Sequence, residues 1–156
     1  MKFFITHSKS ILYLFIISFI FHLMTIYSGY DWGGDFSMYI HHAKNIIEGI
    51  NYTQTGYIEN PSNLYVGPKG YPPIYPLILA PVYYFFGINL FWMKVQMICI
   101  LLCFLFGIYL VFKNKLQAIS LLSLLIIIAF NPYLSYYKNF ILSDIPLLHF
   151  AFCVFI

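Results

Sequence analysis

The sequence predicts an all-α membrane protein: a multi-span helical bundle with one long non-cytosolic loop bearing amphipathic juxtamembrane helices. Three observations predict it. Only 8% of the 156 residues are charged and 62% are hydrophobic, with a mean hydropathy of +0.81, whereas a soluble domain carries roughly 25% charged residues. A chain so poor in charge cannot cover its own surface against water, so lipid is its expected solvent. The apolar residues gather into long runs, and all five carboxylates fall in the interruptions between them. Asp31, Asp35, Glu48 and Glu59 lie between the first and second long runs, and Asp144 lies just before the last. The lysines put both interruptions on the membrane face away from the cytosol.

The first run, Ile11 to Tyr27, follows Lys2 and Lys9. It is long for a signal peptide, and its exit through Ser28-Gly29-Tyr30 lacks an A-x-A cleavage site, so it reads as an uncleaved signal anchor with a cytosolic amino terminus. His22 inside it reads as a packing residue, since no second ligand stands at metal spacing. The next span is 91–112, followed at once by Lys113 and Lys115, which the positive-inside tendency assigns to the cytosol. A third span, 116–134, returns the chain outward through Asn131-Pro132. The fourth, 145–156, is incomplete against the roughly 20 residues that a crossing helix needs, which predicts that the chain is the front end of a longer protein. The stretch from Tyr71 to Phe86, with Pro72, Pro73, Pro76 and Pro81, is apolar but short and interrupted. Crossing there would carry Lys113 and Lys115 outside, so a juxtamembrane segment is the favoured reading over a re-entrant one. The whole chain thus forms one polytopic membrane domain with an outer loop over 28–90.

Within that loop Phe36, Tyr39, Ile40, Ala43, Ile46, Ile47 and Ile50 recur at helical spacing, opposite Ser37, His41, Lys44, Asn45 and Glu48. Gly49 is placed to end the helix in a left-handed conformation. The pattern predicts a short amphipathic helix lying in the membrane interface. Asp35 stands at its N-cap position, which carries two readings. One is a cap worth typically about 1 kcal/mol; the other is an ionised carboxylate poised at the membrane surface as a base or metal ligand. Asp31 shares the ambiguity, and Ser143-Asp144-Ile145-Pro146 repeats the arrangement at the head of the fourth run. Two such aspartates on one face are permitted to converge.

Other residues narrow the choice. His41 and His42 are adjacent and point about 100° apart on a helix, which suits structural or interfacial roles better than a shared metal. Asn51-Tyr52-Thr53 matches an N-glycosylation acceptor on the outer side. Lys69 and Lys94 offer point cations near headgroup level, able to snorkel or to hold a lipid phosphate. The lysines are scattered singly, so no nucleic-acid partner is expected. Cys99, Cys103 and Cys153 sit in apolar runs without C-x-x-C spacing and read as small packing residues, neither a disulfide framework nor zinc ligands.

Taken in order, the signal anchor, Gly34-Asp35-Phe36-Ser37-Met38-Tyr39 with Ala43 and Gly49, Lys69-Gly70-Tyr71-Pro72-Pro73-Ile74-Tyr75-Pro76-Leu77, and the stretch from Tyr136 to Pro146 resemble the amino-terminal part of GT-C fold glycosyltransferases. The nearest branch is the protein-mannosyltransferase-like and aminoarabinose-transferase-like group, and the resemblance runs from about Lys9 onward. It implies a multi-pass cell-membrane enzyme that takes a sugar from a polyprenyl-phosphate-linked donor and moves it to a lipid, glycan or protein acceptor on the non-cytosolic face. By that resemblance Asp35 is the catalytic acid-base residue, Asp144 is the second outer-loop acid, and Lys69 or Lys94 stabilises the departing lipid phosphate. The donor and membrane lipid are the implied partners. No cofactor is implied, no metal ligands are assigned, and a divalent metal is permitted. The competing class is a small non-enzymatic membrane protein, such as a subunit, assembly factor or truncated remnant, whose acids only cap helices. A transporter fits less well, because no charge sits at a bilayer midplane.

Overall fold

The computed structural model describes residues 2–29, 34–57 and 67–154, and among them every regular element is helical and no strand occurs. The order is α1 (Lys2–Met24), α2 (Gly34–Glu48), a short 3-10 turn (Pro68–Gly70), α3 (Ile74–Phe86), α4 (Leu90–Phe112), α5 (Ala118–Ala129), α6 (Pro132–Tyr137) and α7 (Asp144–Val154). The chain divides into two compact units. A helical unit comprises Met1–Tyr27, Met97–Asn139 and Asp144–Ile156, and a loop unit comprises Ser28–Gln96 with Phe140–Ser143.

In the helical unit α1 buries Leu14, Ser18 and His22, each one turn beyond the last, while Leu12, Tyr13, Ile16, Ile17, Ile20 and Met24 stay exposed. It packs on α5, which buries the matching stripe of Leu121, Leu125 and Ala129. His22 donates from Nε2 to the Ala129 carbonyl at 2.9 Å, and Phe21 meets Phe130 edge to face. The histidine is therefore the packing residue that its isolation suggests. The carboxyl end of α1 is closed by a distant lysine. The Lys138 ammonium, 1% exposed, donates to the carbonyls of His22 (3.0 Å) and Thr25 (2.9 Å), and the Tyr27 N–H donates to Asn139 Oδ1 at 2.6 Å. A cation there meets both the orphan carbonyls and the negative end of the helix dipole.

Of these helices α4 alone is long and apolar enough to cross a membrane; Lys9–Met24 of α1, α3, α5 and α7 are shorter apolar helices. The third run departs from the straight span expected over 116–134. It holds a 12-residue α5 and then α6. Pro132 cannot continue an i→i−4 ladder, and Asn131 instead caps the next helix, its Oδ1 accepting from the N–H groups of Tyr133 and Leu134. At 1.5 Å per residue α5 is about 18 Å long, against a hydrocarbon core of about 30 Å.

The loop unit is built on α2 packed against α3. The amphipathic helix ends where expected, with Gly49 at φ 66°, but its buried face is rotated from the expected stripe. Met38, Tyr39, Ile40, His42, Ala43 and Asn45 are buried, whereas Ile47 and Ile50 are exposed. The cause is the chain after the helix, which folds back over α2. Asn45 Nδ2 donates to the carbonyls of Asn51 (3.1 Å), Tyr52 (3.3 Å) and Gln54 (2.9 Å), so an amide expected on the solvent side becomes a buried clasp. α3 is a 13-residue helix with Pro81 inside it, ended by the N–H of Gly87 bonding to the Tyr83 carbonyl. Such a helix is about 20 Å long, short of a crossing.

Candidate functional site

Asp35 lies in the first turn of α2 and is exposed. The helix begins at Gly34, so the aspartate is its second residue and not the N-cap expected from sequence. The carboxylate still benefits from the positive end of the helix. What holds it is a side chain 36 positions away: the Tyr71 hydroxyl donates to Asp35 Oδ1 at 2.5 Å. A carboxylate offers about four lone-pair positions, and this bond uses one.

Tyr71 is itself fixed from several directions. It follows the 3-10 turn Pro68–Gly70, and its carbonyl accepts from the Tyr52 hydroxyl at 2.9 Å. Its ring meets Tyr39 edge to face at 5.2 Å, and Tyr39 meets Tyr75 in the same way at 4.8 Å. The Tyr39 hydroxyl bonds Ser143 Oγ at 3.0 Å. Behind Tyr52, the His42 ring stacks in parallel at 3.9 Å and its Nδ1 donates to the Tyr52 carbonyl at 2.7 Å. At the far end of α2, Glu48 accepts from the Tyr83 hydroxyl and pairs with Lys44 at 3.8 Å.

The electrostatics follow from this packing. Burial raises the Tyr71 hydroxyl well above the ordinary tyrosine range, and its bond to Asp35 and the charge of that carboxylate raise it further. Tyr52 is pushed up to about 12, chiefly by burial. Both therefore stay protonated donors at neutral pH. Burial also lowers His42 below its usual value, which outweighs the opposing hydrogen bond to the Tyr52 carbonyl. Its imidazole is neutral and structural.

Of the residues singled out from sequence, Asp35, Lys69 and Lys94 belong to the loop unit and Asp144 to the helical unit. Lys69 is exposed on the 3-10 turn, two residues before Tyr71. Lys94 is 4% exposed and its ammonium donates to the Gly29 carbonyl at 3.0 Å, so it braces backbone where a headgroup contact was one expectation. Asp144 is exposed and is the first residue of α7, directly after Ser143, where a cap had been expected. Asp31 and Glu59 lie outside the described residues. Among the described residues no three His, Cys, Asp or Glu side chains gather as metal ligands. Sequence reasoning had passed over Tyr39, Tyr52 and Tyr71 as individuals; the one signal available was that Tyr39 and Tyr71 each sit inside a motif that carries the resemblance.

Compared with protein-family models, curated proteins and solved structures, the chain matches none.

Proposed function

We propose that the chain is a multi-span membrane glycosyltransferase of the GT-C type, with Asp35 as its base, acting on a polyprenyl-phosphate-linked sugar at the non-cytosolic face. One observation carries this reading. The resemblance rests on two separate motifs, Gly34–Tyr39 and Lys69–Leu77, and the Tyr71 hydroxyl of the second bonds the Asp35 carboxylate of the first. An exposed carboxylate with one oxygen fixed at a helix amino terminus suits a general base.

In the proposed reaction an acceptor hydroxyl attacks the anomeric carbon as its proton passes to Asp35. The bond from that carbon to the lipid phosphate breaks, and the configuration inverts. The phosphate leaves with the bonding pair, and a cation near it stabilises the developing charge. Lys69 suits that role better than Lys94, whose ammonium is buried against Gly29. Asp144 stays the second acid of the proposal on the resemblance alone, as the exposed first residue of α7.

The test is turnover in proteoliposomes supplied with radiolabelled polyprenyl-phosphate hexoses and pentoses, scored by release of polyprenyl phosphate. Asp35→Asn removes the base while keeping shape, so the rate should fall about 10²–10⁴-fold with membrane insertion unchanged. Equal rates for the two proteins would sink the catalytic role. No turnover of any donor by either protein would favour the non-enzymatic class.

A further inference from the structure

Tyr71 makes two bonds of different kinds, one at its backbone and one at its side chain. It lies between the 3-10 turn and α3, so its carbonyl has no helical partner, and the Tyr52 hydroxyl donates to that carbonyl at 2.9 Å. Its own hydroxyl donates to Asp35 Oδ1. Pro72 after it disfavours the helical region, and its backbone is extended at φ −90° and ψ 120°. Its ring is set edge to face against the buried Tyr39. Tyr52 is held as firmly. Its ring stacks on His42 within 9° of parallel, and its carbonyl accepts from His42 Nδ1 at 2.7 Å and from Asn45 Nδ2 at 3.3 Å. His42 and Asn45 are buried residues of α2, the helix that carries Asp35. The contacts therefore close a circuit: out from the middle of α2 to Tyr52, on to Tyr71, and back to the first turn of α2.

We propose that Tyr71 and Tyr52 are positioning residues for the base. Tyr71 fixes the Asp35 carboxylate so that Oδ2 takes the acceptor's proton, and Tyr52 holds Tyr71 in place to do so. This role rests on the reading of Asp35 as base. The last torsion of an aspartate is broad, so an exposed carboxylate without a fixed donor spreads its oxygens over many directions. A base has to lie within hydrogen-bond reach of the proton at the moment of attack, and restraint of one oxygen restrains the other. The bond from Tyr71 uses a lone pair of Oδ1 and stabilises charge on it, which leaves Oδ2 the better proton acceptor. The proton of the acceptor hydroxyl then passes to Oδ2, the acceptor oxygen bonds the anomeric carbon, and the lipid phosphate leaves with the bonding pair. Burial and the carboxylate keep the Tyr71 hydroxyl protonated at neutral pH, so the donor persists. Both tyrosines act through Asp35, and the role asks no contact of either with donor or acceptor.

The test is steady-state release of polyprenyl phosphate by the full chain in proteoliposomes, with Asp35→Asn as the reference. Tyr71→Phe keeps the ring against Tyr39 and removes the hydroxyl, so kcat should fall about 10–100-fold while the donor KM stays within about twofold. Tyr52→Phe keeps the stack on His42 and should lower kcat about 3–10-fold in the same way. Tyr83→Phe takes a hydroxyl from Glu48 at the far end of α2 and should leave kcat unchanged. Tyr71→Phe added to Asp35→Asn should cost nothing further, because the hydroxyl acts through the carboxylate. Full activity in Tyr71→Phe, beside a large loss in Asp35→Asn, overturns the positioning and leaves the base standing. A full further loss in the double variant also overturns it, since the hydroxyl would then act elsewhere. An unchanged rate in Asp35→Asn, or no turnover by the unaltered chain, removes the base, and the positioning falls with it. Hydrogen exchange on α2 checks the folding of each variant. If Tyr71→Phe loosens that helix, Tyr52→Phe decides in its place, because its hydroxyl bonds the Tyr71 carbonyl and not the carboxylate. Loosening in both would make the bonds structural and overturn the proposal.

Discussion

The helical unit coheres through buried stripes, apolar on α5 and partly polar on α1, joined by one hydrogen bond from His22 to the Ala129 carbonyl. Leu14, Ser18 and His22 of α1 are buried as Leu121, Leu125 and Ala129 of α5 are, and one polar clasp, Lys138 with Asn139, closes the end of α1. The loop unit relies on polar and aromatic groups, with Asn45 gathering three carbonyls, His42 stacked on Tyr52 and Tyr71 bonded to Asp35. The difference has a physical source. Apolar stripes associate without directional demands, whereas hydrogen bonds and ring contacts fix side-chain positions closely. The base proposed for this chain, Asp35, lies in the loop unit and is held there by the Tyr71 hydroxyl.

The largest effect should come from breaking the single clasp of the helical unit. Lys138→Met removes two charge-assisted hydrogen bonds, one to the buried His22 carbonyl and one to the part-buried Thr25 carbonyl, and should cost about 3 kcal/mol. Unfolding in mixed micelles of rising sodium dodecyl sulfate, followed by far-ultraviolet circular dichroism, measures it. Lys138→Arg should recover part of the loss, since it keeps the cation at the helix end. A loss under about 0.5 kcal/mol for Lys138→Met, the range of an ordinary surface substitution, would show that α1 does not depend on the lysine.

In the loop unit no single bond dominates, so the corresponding break should be milder and more local. Asn45→Ala leaves three loop carbonyls without their shared donor and should cost about 2 kcal/mol. Hydrogen exchange should show the loss in residues 50–57 while α5 keeps its protection. Equal loosening of both regions would mean that the two units do not respond separately.

This contrast also explains what the sequence reveals. The bounds of α4 and the end of α2 at Gly49 are legible because hydrophobic period and glycine conformation are local properties. The division of the third run lies in Asn131-Pro132, which starts another helix where the run's apolar pattern predicts the exit of a span. The burial of Asn45 and His42 was not legible, because their partners lie on a loop whose return over α2 has no periodic signature. Lys138 was hidden for a similar reason: its carbonyl partners, His22 and Thr25 at the end of α1, lie more than a hundred residues away. The aspartate was legible by type and position, whereas the tyrosine that holds it was not.

Backbone substitutions sharpen the same comparison at smaller scale. Gly49→Ala places a side chain at φ 66° with nothing within 4 Å of its Cβ, so only left-handed strain acts and about 1 kcal/mol should be lost. Gly107→Ala in α4 gains about 1 kcal/mol of helix propensity, but its Cβ would meet the Phe152 ring at 3.1 Å. If that ring gives way, the net change in the same unfolding assay should be a gain. A loss there would show that packing in the helical unit is tighter than apolar stripes require.

The smallest effect concerns pH and tests whether His42 is as structural as its stacking implies. Burial lowers its native value below the ordinary 6.5, so the unfolded loop binds a proton more readily than the folded one. Above pH 6.5 both forms are neutral and the full stability is present. As pH falls from 6.5 towards the lower native value, the unfolded state is protonated first and stability declines; below that native value the loss levels off. Hydrogen exchange over residues 42–57, corrected for the intrinsic pH dependence of exchange, should show protection falling in this window. His42→Phe keeps an aromatic face against Tyr52 but cannot titrate, so its protection should stay level over the same range. If the variant shows the same decline, another group titrates there and His42 does not set the acid sensitivity of the loop unit.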